Sequence, residues 1–283
     1  MNLAAARFAG HPGPRSQERL VFVHGFTQTR SSWEAIASGF ARDGYETLTV
    51  DAPGHGESST LRLDLPAGAV ALGNTGGRAT YVGYSMGGRL ALHLAVSQPD
   101  LVDRLVLVSS TAGIDDDAAR EVRRADDDRR AVAIERRGVE AFITEWLAQP
   151  LFANLPRDDS QLAERLGNTS AGLASSLRLA GTGAQQSLWP NLASLSMPVL
   201  LVAGQRDEKF TSIAERMATV IPDATVAIIQ GAGHVAHLER PTEFCDTLRR
   251  WLETNPMRSA DRMSGHPSTE RQAERRERPE DEL

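Results

Sequence analysis

The sequence has few cysteines, few lysines and no long apolar run. Its single cysteine, Cys245, cannot form an internal disulfide bond, and there is no group of thiolates that could hold a metal ion. No stretch of 18 or more apolar residues occurs, and the N-terminal residues lack the apolar segment of a secretory leader. These absences argue against disulfide-stabilised and membrane-spanning classes, and they predict a protein of the reducing cytoplasm.

Positive charge is carried almost entirely by arginine. The 283 residues contain 30 arginines and one lysine, Lys209, against 37 acidic residues, which gives a net charge of −6. Basic residues cluster only in the C-terminal tail, where acidic residues are interleaved, so the sequence does not predict binding to nucleic acid or to an anionic membrane. We therefore expect a small-molecule ligand and a monomer or weak homo-oligomer.

The fold class follows from short apolar runs that alternate with helical patterns. Continuous apolar runs predict strands that are buried on both faces, as in a parallel sheet covered by helices. Apolar residues at three- and four-residue spacing predict the intervening helices. This alternation predicts a doubly wound, mostly parallel α/β fold. The predicted strands are 20–23, 47–50, 80–82, 105–108, 199–202 and 226–229, and the predicted helices are 33–42, 86–96, 211–220 and 242–252.

Two further regions depart from this alternation. Residues 113–188 show no clear strand and carry amphipathic stretches, which predicts a helical cap inserted before the last two strands. The core would then consist of residues 1–112 and 189–256. Residues 257–283 carry 6 arginines and 7 acidic residues with almost no apolar side chains, so we expect a disordered tail without function.

Residues 81–89 have the pattern of a nucleophile elbow. A predicted strand leads into Gly83-Tyr84-Ser85-Met86-Gly87, and a predicted helix follows. Glycines permit the sharp strand-to-helix turn that exposes the central serine at the edge of the sheet. The pattern favours Ser85 as a catalytic nucleophile or base over a serine that merely caps a helix.

A catalytic serine needs a base later in the chain, and His234 is the first candidate. It follows a predicted strand in the glycine loop 231–234, while His237, three residues on, is the alternative. The other histidines fit the role less well. His11 and His266 lie near the ends, His93 lies in the helix after the elbow, and His24 and His55 lie in early loops with a structural or hole-forming role.

The carboxylate that orients the base is predicted at Asp207, directly after the strand 199–202. The order Ser85, Asp207, His234 is that of α/β-hydrolase triads, and the 27 residues between acid and base leave room for one helix and one strand. The neighbouring Glu208 is expected to be solvated, and Asp51 is expected to be a turn residue. The backbone amides of Phe26 and Met86 are predicted to form the oxyanion hole.

Together these motifs resemble one family of α/β-hydrolases, the 2-succinyl-6-hydroxy-2,4-cyclohexadiene-1-carboxylate synthases of menaquinone biosynthesis. The resemblance spans roughly residues 20–250. Its discriminating parts are Gly83-Tyr84-Ser85-Met86-Gly87-Gly88-Arg89, residues 204–210, and residues 172–174 with 181–185 of the cap. In this family the triad makes serine a base that removes a carbon-bound proton, and elimination of pyruvate follows without a metal or organic cofactor.

The resemblance also implies substrate-binding residues. The family's substrate carries several carboxylates that arginines hold, and Arg89, Arg124 and Arg165 match those arginines by motif position, while Tyr84 and Trp146 match pocket residues. Leu147 departs from the tyrosine of some members, and the short segment 56–80 suggests a reduced helix. Two alternatives stay open: a serine esterase or carbon–carbon bond hydrolase of the same fold, and a catalytically silent binding module.

Overall fold

The computed structural model describes residues 1–10, 13, 15–156 and 158–257. The predicted tail, apart from Met257, lies outside the described residues, as do His11 and His266. None of the helices in the described ranges is both long enough and apolar enough to cross a membrane.

In the part of the chain that the structure describes, seven strands, numbered in chain order, form a single sheet in the order β1-β3-β2-β4-β5-β6-β7. All neighbouring pairs are parallel except β1 with β3. The strands are β1 (Ala5–Phe8), β2 (Arg19–Val23), β3 (Glu46–Val50), β4 (Ala79–Tyr84), β5 (Val102–Val108), β6 (Val199–Gly204) and β7 (Ala224–Ile229). The predicted doubly wound, mostly parallel sheet is therefore confirmed.

The helices alternate with the strands and cover both faces of the sheet. The four predicted helices are present, as α1, α3, α7 and α9. The helices are α1 (Glu34–Arg42), α2 (Leu65–Gly76), α3 (Met86–Ser97), α4 (Asp117–Leu147), α5 (Asp159–Leu166), α6 (Ser170–Ala180), α7 (Glu208–Ala218), α8 (Ala236–Glu239) and α9 (Pro241–Thr254).

Strand β1 has no counterpart among the predicted strands because it is only partly buried. Its residues alternate between exposed and half-buried, and it pairs antiparallel with β3 from Ala5 opposite Val50 to Phe8 opposite Thr47. Such alternation is typical of an antiparallel edge strand, whereas continuous apolar runs mark only the buried parallel strands.

The glycine-rich segment 56–80 contains a three-turn helix, α2. Asp64 caps its first turn by accepting a hydrogen bond from the amide of Ala67 at 2.9 Å. Gly68 and Gly73 let α2 approach α3 closely, since a Cβ atom at either position would lie 2.9 Å from a leucine methyl group of α3. The glycines thus serve helix packing in this segment.

The region between β5 and β6 contributes helices α4, α5 and α6, and no strand occurs in its described residues. Gly138 interrupts the helical backbone of α4 at φ 82° and ψ 171°. Residues on both sides of this break pack against α6 in a small separate core of Ala131, Ile134, Phe142, Ile143, Leu173, Ala174 and Leu177. Because the region follows the carboxyl end of β5, it lies at the edge of the sheet that also carries Ser85.

Arg104 of β5 is a buried cation that forms an ion pair and several hydrogen bonds within the protein. Its guanidinium pairs with Glu18 at 2.6 Å and donates to the Thr80 hydroxyl at 2.8 Å. It also donates to the backbone carbonyls of Asn255 at 2.9 Å and Leu252 at 3.3 Å. The side chain is 1% exposed and ties the centre of the sheet to the end of α9.

We expect Arg104→Met to lower the free energy of unfolding by about 3 kcal/mol, because it leaves Glu18 and two carbonyls without their partner. Urea unfolding followed by circular dichroism measures this loss. Arg137→Met is the control, since Arg137 pairs with Glu145 on the surface and its loss should cost less than about 1 kcal/mol. Equal losses in the two variants would contradict the prediction.

Candidate active site

Ser85 lies in the sharp turn between β4 and α3. Its backbone has φ 50° and ψ −108°, which is unusual for a residue with a side chain. A Cβ atom on Gly83 would lie 2.5 Å from the Gly87 carbonyl oxygen, and one on Gly87 would lie 2.3 Å from the Val23 carbonyl oxygen. These glycines are therefore required for the turn. The strain is held in place by the Ser85 amide, which donates to the Val108 carbonyl at 2.8 Å.

His234 and Asp207 lie within hydrogen-bonding distance of each other. The His234 Nδ1 atom is 2.6 Å from Asp207 Oδ2, and the two residues are only 3% and 7% exposed. An ionised carboxylate accepts only, so Nδ1 carries the proton and Nε2 keeps its lone pair. The His234 ring lies 5.4 Å from the ring of Tyr84, the residue before Ser85. This arrangement suits a general base at the elbow.

The alternative base, His237, lies in the core. It is fully buried and stacks on Trp33 with ring centroids 4.1 Å apart, and neither ring nitrogen has a hydrogen-bond partner in the described part of the chain. Burial holds the pKa of His237 well below its usual value. His237 therefore has no carboxylate to orient it and stays neutral.

Asp51 and Glu208, the other two acidic residues considered for the triad, lie in different surroundings from Asp207. Asp51 is 1% exposed and accepts hydrogen bonds from the amides of Arg30 at 2.7 Å and Glu57 at 3.0 Å, besides pairing with the Arg30 guanidinium. Glu208 is exposed in the first turn of α7. Of the acidic residues considered, only Asp207 contacts the imidazole of His234.

His24 and His55 hold the loop that contains Phe26. His24 Nε2 accepts from the Ala52 amide at 3.0 Å, and its Nδ1 donates to the Gly25 carbonyl at 2.8 Å. His55 Nε2 accepts from the Thr27 amide at 3.3 Å, and its Nδ1 donates to the Pro53 carbonyl. Each ring needs one donor and one acceptor nitrogen, so both are neutral. Burial lowers the pKa of His24 to about 4 and that of His55 to about 3.

The amides of Phe26 and Met86 are free to bind an anionic oxygen. Neither donates a hydrogen bond to any acceptor in the described residues. Met86 begins α3, so its amide also lies at the positive end of the helix. Thr27, next to Phe26, has φ 70°, and the side-chain amide of Asn168 donates from Nδ2 to the Thr27 carbonyl at 2.9 Å. Both amides are thus available for the predicted oxyanion hole, and the loop that carries Phe26 is held by Asn168.

Arg89 and Arg165 are buried cations that have no carboxylate partner among the residues the structure describes. Arg89 is 6% exposed and donates to the Ala180 carbonyl at 2.7 Å and to Gln185 Oε1 at 3.5 Å. Arg165 is 3% exposed and donates to the Thr27 hydroxyl. Neither forms an ion pair in the described ranges, in contrast to Arg104. Burial lowers the pKa of Arg89 to about 10 and also lowers the pKa of Arg165. An anionic ligand would compensate both charges.

The other candidate binding residues lie in different surroundings. Tyr84 is 4% exposed beside His234, and burial raises the pKa of its hydroxyl. Trp146 contacts Phe26 with ring centroids 5.3 Å apart, and its indole nitrogen is buried without a partner in the described residues. Arg124 is exposed on α4 with its backbone against Gly183. Lys209 is exposed, with its ammonium group 5.7 Å from the Phe210 ring.

Glu239 is a site residue that sequence reasoning missed. Its carboxylate accepts from the amide of Gly233 at 2.5 Å and from the amide of Val235 at 2.9 Å. These are the residues on either side of His234, so one carboxylate holds the loop both before and after the imidazole. The only sequence signal for this role is that an acidic residue stands five positions after His234. Acidic residues are common in surface helices, so this signal is not specific.

The sequence of this chain matches a known protein family. The model of the α/β hydrolase family matches residues 20–247. The chain belongs to this α/β hydrolase family. This hydrolase is 34% identical over 261 residues to 2-succinyl-6-hydroxy-2,4-cyclohexadiene-1-carboxylate synthase of Klebsiella pneumoniae, and 33% identical over 264 residues to that of Salmonella typhimurium. Both alignments cover 89% of this chain and 99% of the relative. The resemblance found in the sequence is thereby confirmed.

Solved structures agree with this assignment. The structure of MenH from S. aureus superposes on this hydrolase with a TM-score of 0.83 at 31% identity, covering 90% of this chain and 99% of that one. A thermophilic esterase from Thermogutta terrifontis, solved with malate bound, has a TM-score of 0.71 at 26% identity, covering 89% of this chain and 93% of that one. The fold is thus common to the MenH structure and to a protein named as an esterase.

We expect Glu239→Gln to slow the reaction of Ser85 with a fluorophosphonate about tenfold or more. The neutral amide places an N–H group against one of the two backbone amides, so the His234 loop shifts from its productive position. The second-order labelling rate of the purified hydrolase measures the effect. Glu243→Gln, an exposed change in the first turn of α9, should label at the wild-type rate. Equal rates for both variants would show that Glu239 does not position His234.

The buried neutral histidines predict a loss of stability in mild acid. His24, His55 and His93 have folded pKa values of about 4, 3 and 4, against 6.5 in the unfolded chain. Between pH 6.5 and 4 the unfolded chain binds more protons, so the free energy of unfolding falls as the pH falls. Urea unfolding at pH 7, 6 and 5 measures the slope. His93→Leu removes one such group and should give a shallower slope; an unchanged slope would contradict this explanation.

Proposed function

We propose that this member of the α/β hydrolase family is a 2-succinyl-6-hydroxy-2,4-cyclohexadiene-1-carboxylate synthase of menaquinone biosynthesis. The reaction eliminates pyruvate from a cyclohexene precursor that carries a succinyl group, an enolpyruvyl group and a ring carboxylate. The observation that carries the proposal is the pair of buried arginines, Arg89 and Arg165, left without a carboxylate partner in the described residues. The relatives named for this activity, at 33–34% identity over nearly their whole length, support it.

In this proposal Ser85 acts as a base. His234, held by Asp207 through Nδ1, takes the proton of the Ser85 hydroxyl at Nε2. The serine oxygen then removes a carbon-bound proton from the ring beside the succinyl carbonyl. The electron pair of that bond moves onto the carbonyl oxygen, where the Phe26 and Met86 amides stabilise the negative charge. When the charge returns to the ring, the bond between the ring and the enolpyruvyl oxygen breaks, and its electron pair leaves on that oxygen as the enolate of pyruvate. The enolate takes up the proton held on His234 and becomes pyruvate, while Ser85 keeps the proton removed from the ring.

The binding residues fit a substrate with several carboxylates. Arg165 donates to Thr27, next to the oxyanion donor Phe26, so a carboxylate on Arg165 lies close to the reacting carbonyl. Arg89 lies on α3, one helical turn after Ser85, the residue that precedes this helix. We assign Tyr84 and Trp146 to the walls of this site and place the enzyme in the cytoplasm, as its single cysteine suggests. Arg124, exposed on α4, is the weakest of the proposed contacts.

We expect the purified protein to release pyruvate from the precursor, and Ser85→Ala to abolish the release while the fold persists.

Arg165→Met and Arg89→Met should each lower kcat/KM about tenfold to a hundredfold, as expected for a lost charge-assisted hydrogen bond. Coupled reduction of pyruvate measures turnover. Arg137→Met, on the surface of the cap, is the matched control and should keep wild-type kcat/KM.

The same arginine variants separate binding from folding. Because Arg165 is buried without a counter-ion, Arg165→Met should unfold at an equal or higher urea concentration than the wild type in the absence of substrate, whereas Arg104→Met should unfold at a lower one. No pyruvate release by the wild type, or unchanged kcat/KM in Arg165→Met and Arg89→Met, would refute the proposed function.

A further inference from the structure

The turn that carries the Phe26 amide is strained at Thr27. Its ends are joined by the Gln28 amide, which donates to the Gly25 carbonyl at 3.2 Å, and by the Gly25 amide, which donates to Gln28 Oε1 at 3.0 Å. Between them Thr27 has φ 70°, a positive value that a β-branched residue rarely adopts. The position of the Phe26 amide therefore depends on the contacts that hold Thr27 in this conformation.

Every polar group of Thr27 is hydrogen bonded, and two of its three partners come from the cap. The Thr27 amide donates to Nε2 of His55, a residue of the core, at 3.3 Å. The Thr27 hydroxyl accepts from the Arg165 guanidinium, and the Thr27 carbonyl accepts from Asn168 Nδ2 at 2.9 Å. Thr27 is fully buried, so water does not replace these partners. The cap thus holds the strained residue that follows Phe26.

Asn168 lies in the turn between α5 and α6, and both ends of its side-chain amide are engaged. Oδ1 accepts from the Gly56 amide at 3.0 Å, while Nδ2 also donates to the Arg165 carbonyl at 3.1 Å. One amide therefore joins the cap to two loops of the core, those that follow β2 and β3. The residue is 5% exposed. An aspartate here would keep the acceptor but lose the donor, and would place a negative charge against the Thr27 carbonyl.

The cap lies directly on the core beside Asn168. A Cβ atom on Gly172, in the first turn of α6, would lie 2.3 Å from the Gly54 carbonyl oxygen, and one on Gly54 would lie 2.6 Å from the Gly172 carbonyl oxygen. Thr169 caps this helix by accepting from the Gly172 amide at 3.0 Å. Because only glycines allow the two backbones to approach so closely, this contact fixes where the turn that carries Asn168 lies on the core.

We infer that Asn168 is a positioning residue, through which the cap sets the place of the Phe26 amide in the oxyanion hole. The inference rests on the proposed function for the role of that hole, and it deepens the proposal. The Met86 amide is placed by the elbow, within the core, whereas the Phe26 amide is placed with the help of the cap. Asn168 acts through Thr27 and not on the substrate itself.

The first test is phosphonylation of Ser85 by a fluorophosphonate in the purified full-length chain, because the phosphoryl oxygen of the adduct takes the place of the oxyanion. We expect Asn168→Asp to lower the labelling rate about tenfold or more. Asn191→Asp is the matched control, since it makes the same chemical change at an exposed residue of the turn Trp189–Ser194 and should label at the wild-type rate. Equal rates for the two variants would overturn the inference.

The phosphorus-31 NMR resonance of the labelled serine separates positioning from stability. In the folded wild type the phosphoryl oxygen accepts from the Phe26 and Met86 amides, and the resonance reports those hydrogen bonds. We expect the resonance of labelled Asn168→Asp to differ from that of the wild type, under conditions where circular dichroism shows the variant to be folded. Labelled Asn191→Asp should match the wild type. Slower labelling of a folded Asn168→Asp with an unchanged resonance would show a merely structural role and overturn the inference.

Asn168→Ala serves as a second variant in case Asn168→Asp does not fold. It removes the donor without adding a charge, so it should change the labelling rate and the resonance in the same direction by a smaller amount. Wild-type values of both quantities in Asn168→Ala would overturn the inference.

Pyruvate release by the same variants relates the inference to the proposed function. Asn168→Asp should lower kcat about tenfold or more and leave KM within about twofold, because the oxyanion hole acts on charge that develops in the transition state. Pyruvate release by the wild type, with unchanged labelling in Asn168→Asp, would refute only the inference. Slower labelling and a shifted resonance in Asn168→Asp, without pyruvate release by the wild type, would support the inference and refute the proposed function.

Discussion

The hydrogen bond between His234 and Asp207 is the interaction on which the proposed chemistry of this protein depends. It joins the loops after two adjacent parallel strands, β6 and β7, and sets which imidazole nitrogen carries the proton. Without it, His234 would have no carboxylate to fix its tautomer, and the proposed removal of the Ser85 proton would lack an oriented base. Parallel strands deliver both loops to one edge of the sheet, so the fold supplies this proximity directly.

Around this pair, buried polar groups fix loops that have no regular structure. Neutral His24 and His55 each use one nitrogen to accept and the other to donate, and so connect the loop of Phe26 to the loop after β3. Glu239 holds the two amides beside His234 in the same way. Backbone groups in a buried loop must find partners, and here the partners are side chains. The groups that we propose to react are thus held in position before a substrate arrives.

The extent to which the sequence determines these features differs from one feature to the next. The parallel strands and the elbow could be predicted because burial on both faces leaves continuous apolar runs, and because only glycines permit the turn at Ser85. The order of Asp207 and His234 could be inferred from the strands that they follow. Strand β1 could not be predicted, because it is stabilised by pairing with β3, which is distant in the chain. The role of Glu239 could not be predicted either, because many sequences carry an acidic residue at such a position. The exposure of Arg124, against the burial of Arg89 and Arg165, likewise depends on how the cap helices pack.

The bonds of Arg104 have a consequence for the order in which the chain can fold during synthesis. Two of its acceptors, the carbonyls of Leu252 and Asn255, are among the last described residues to leave the ribosome. A nascent chain that ends before α9 would bury a guanidinium at the centre of its sheet with half of these acceptors missing. Final consolidation of the core is therefore postponed until translation has passed residue 255, although six of the seven strands are complete by residue 204.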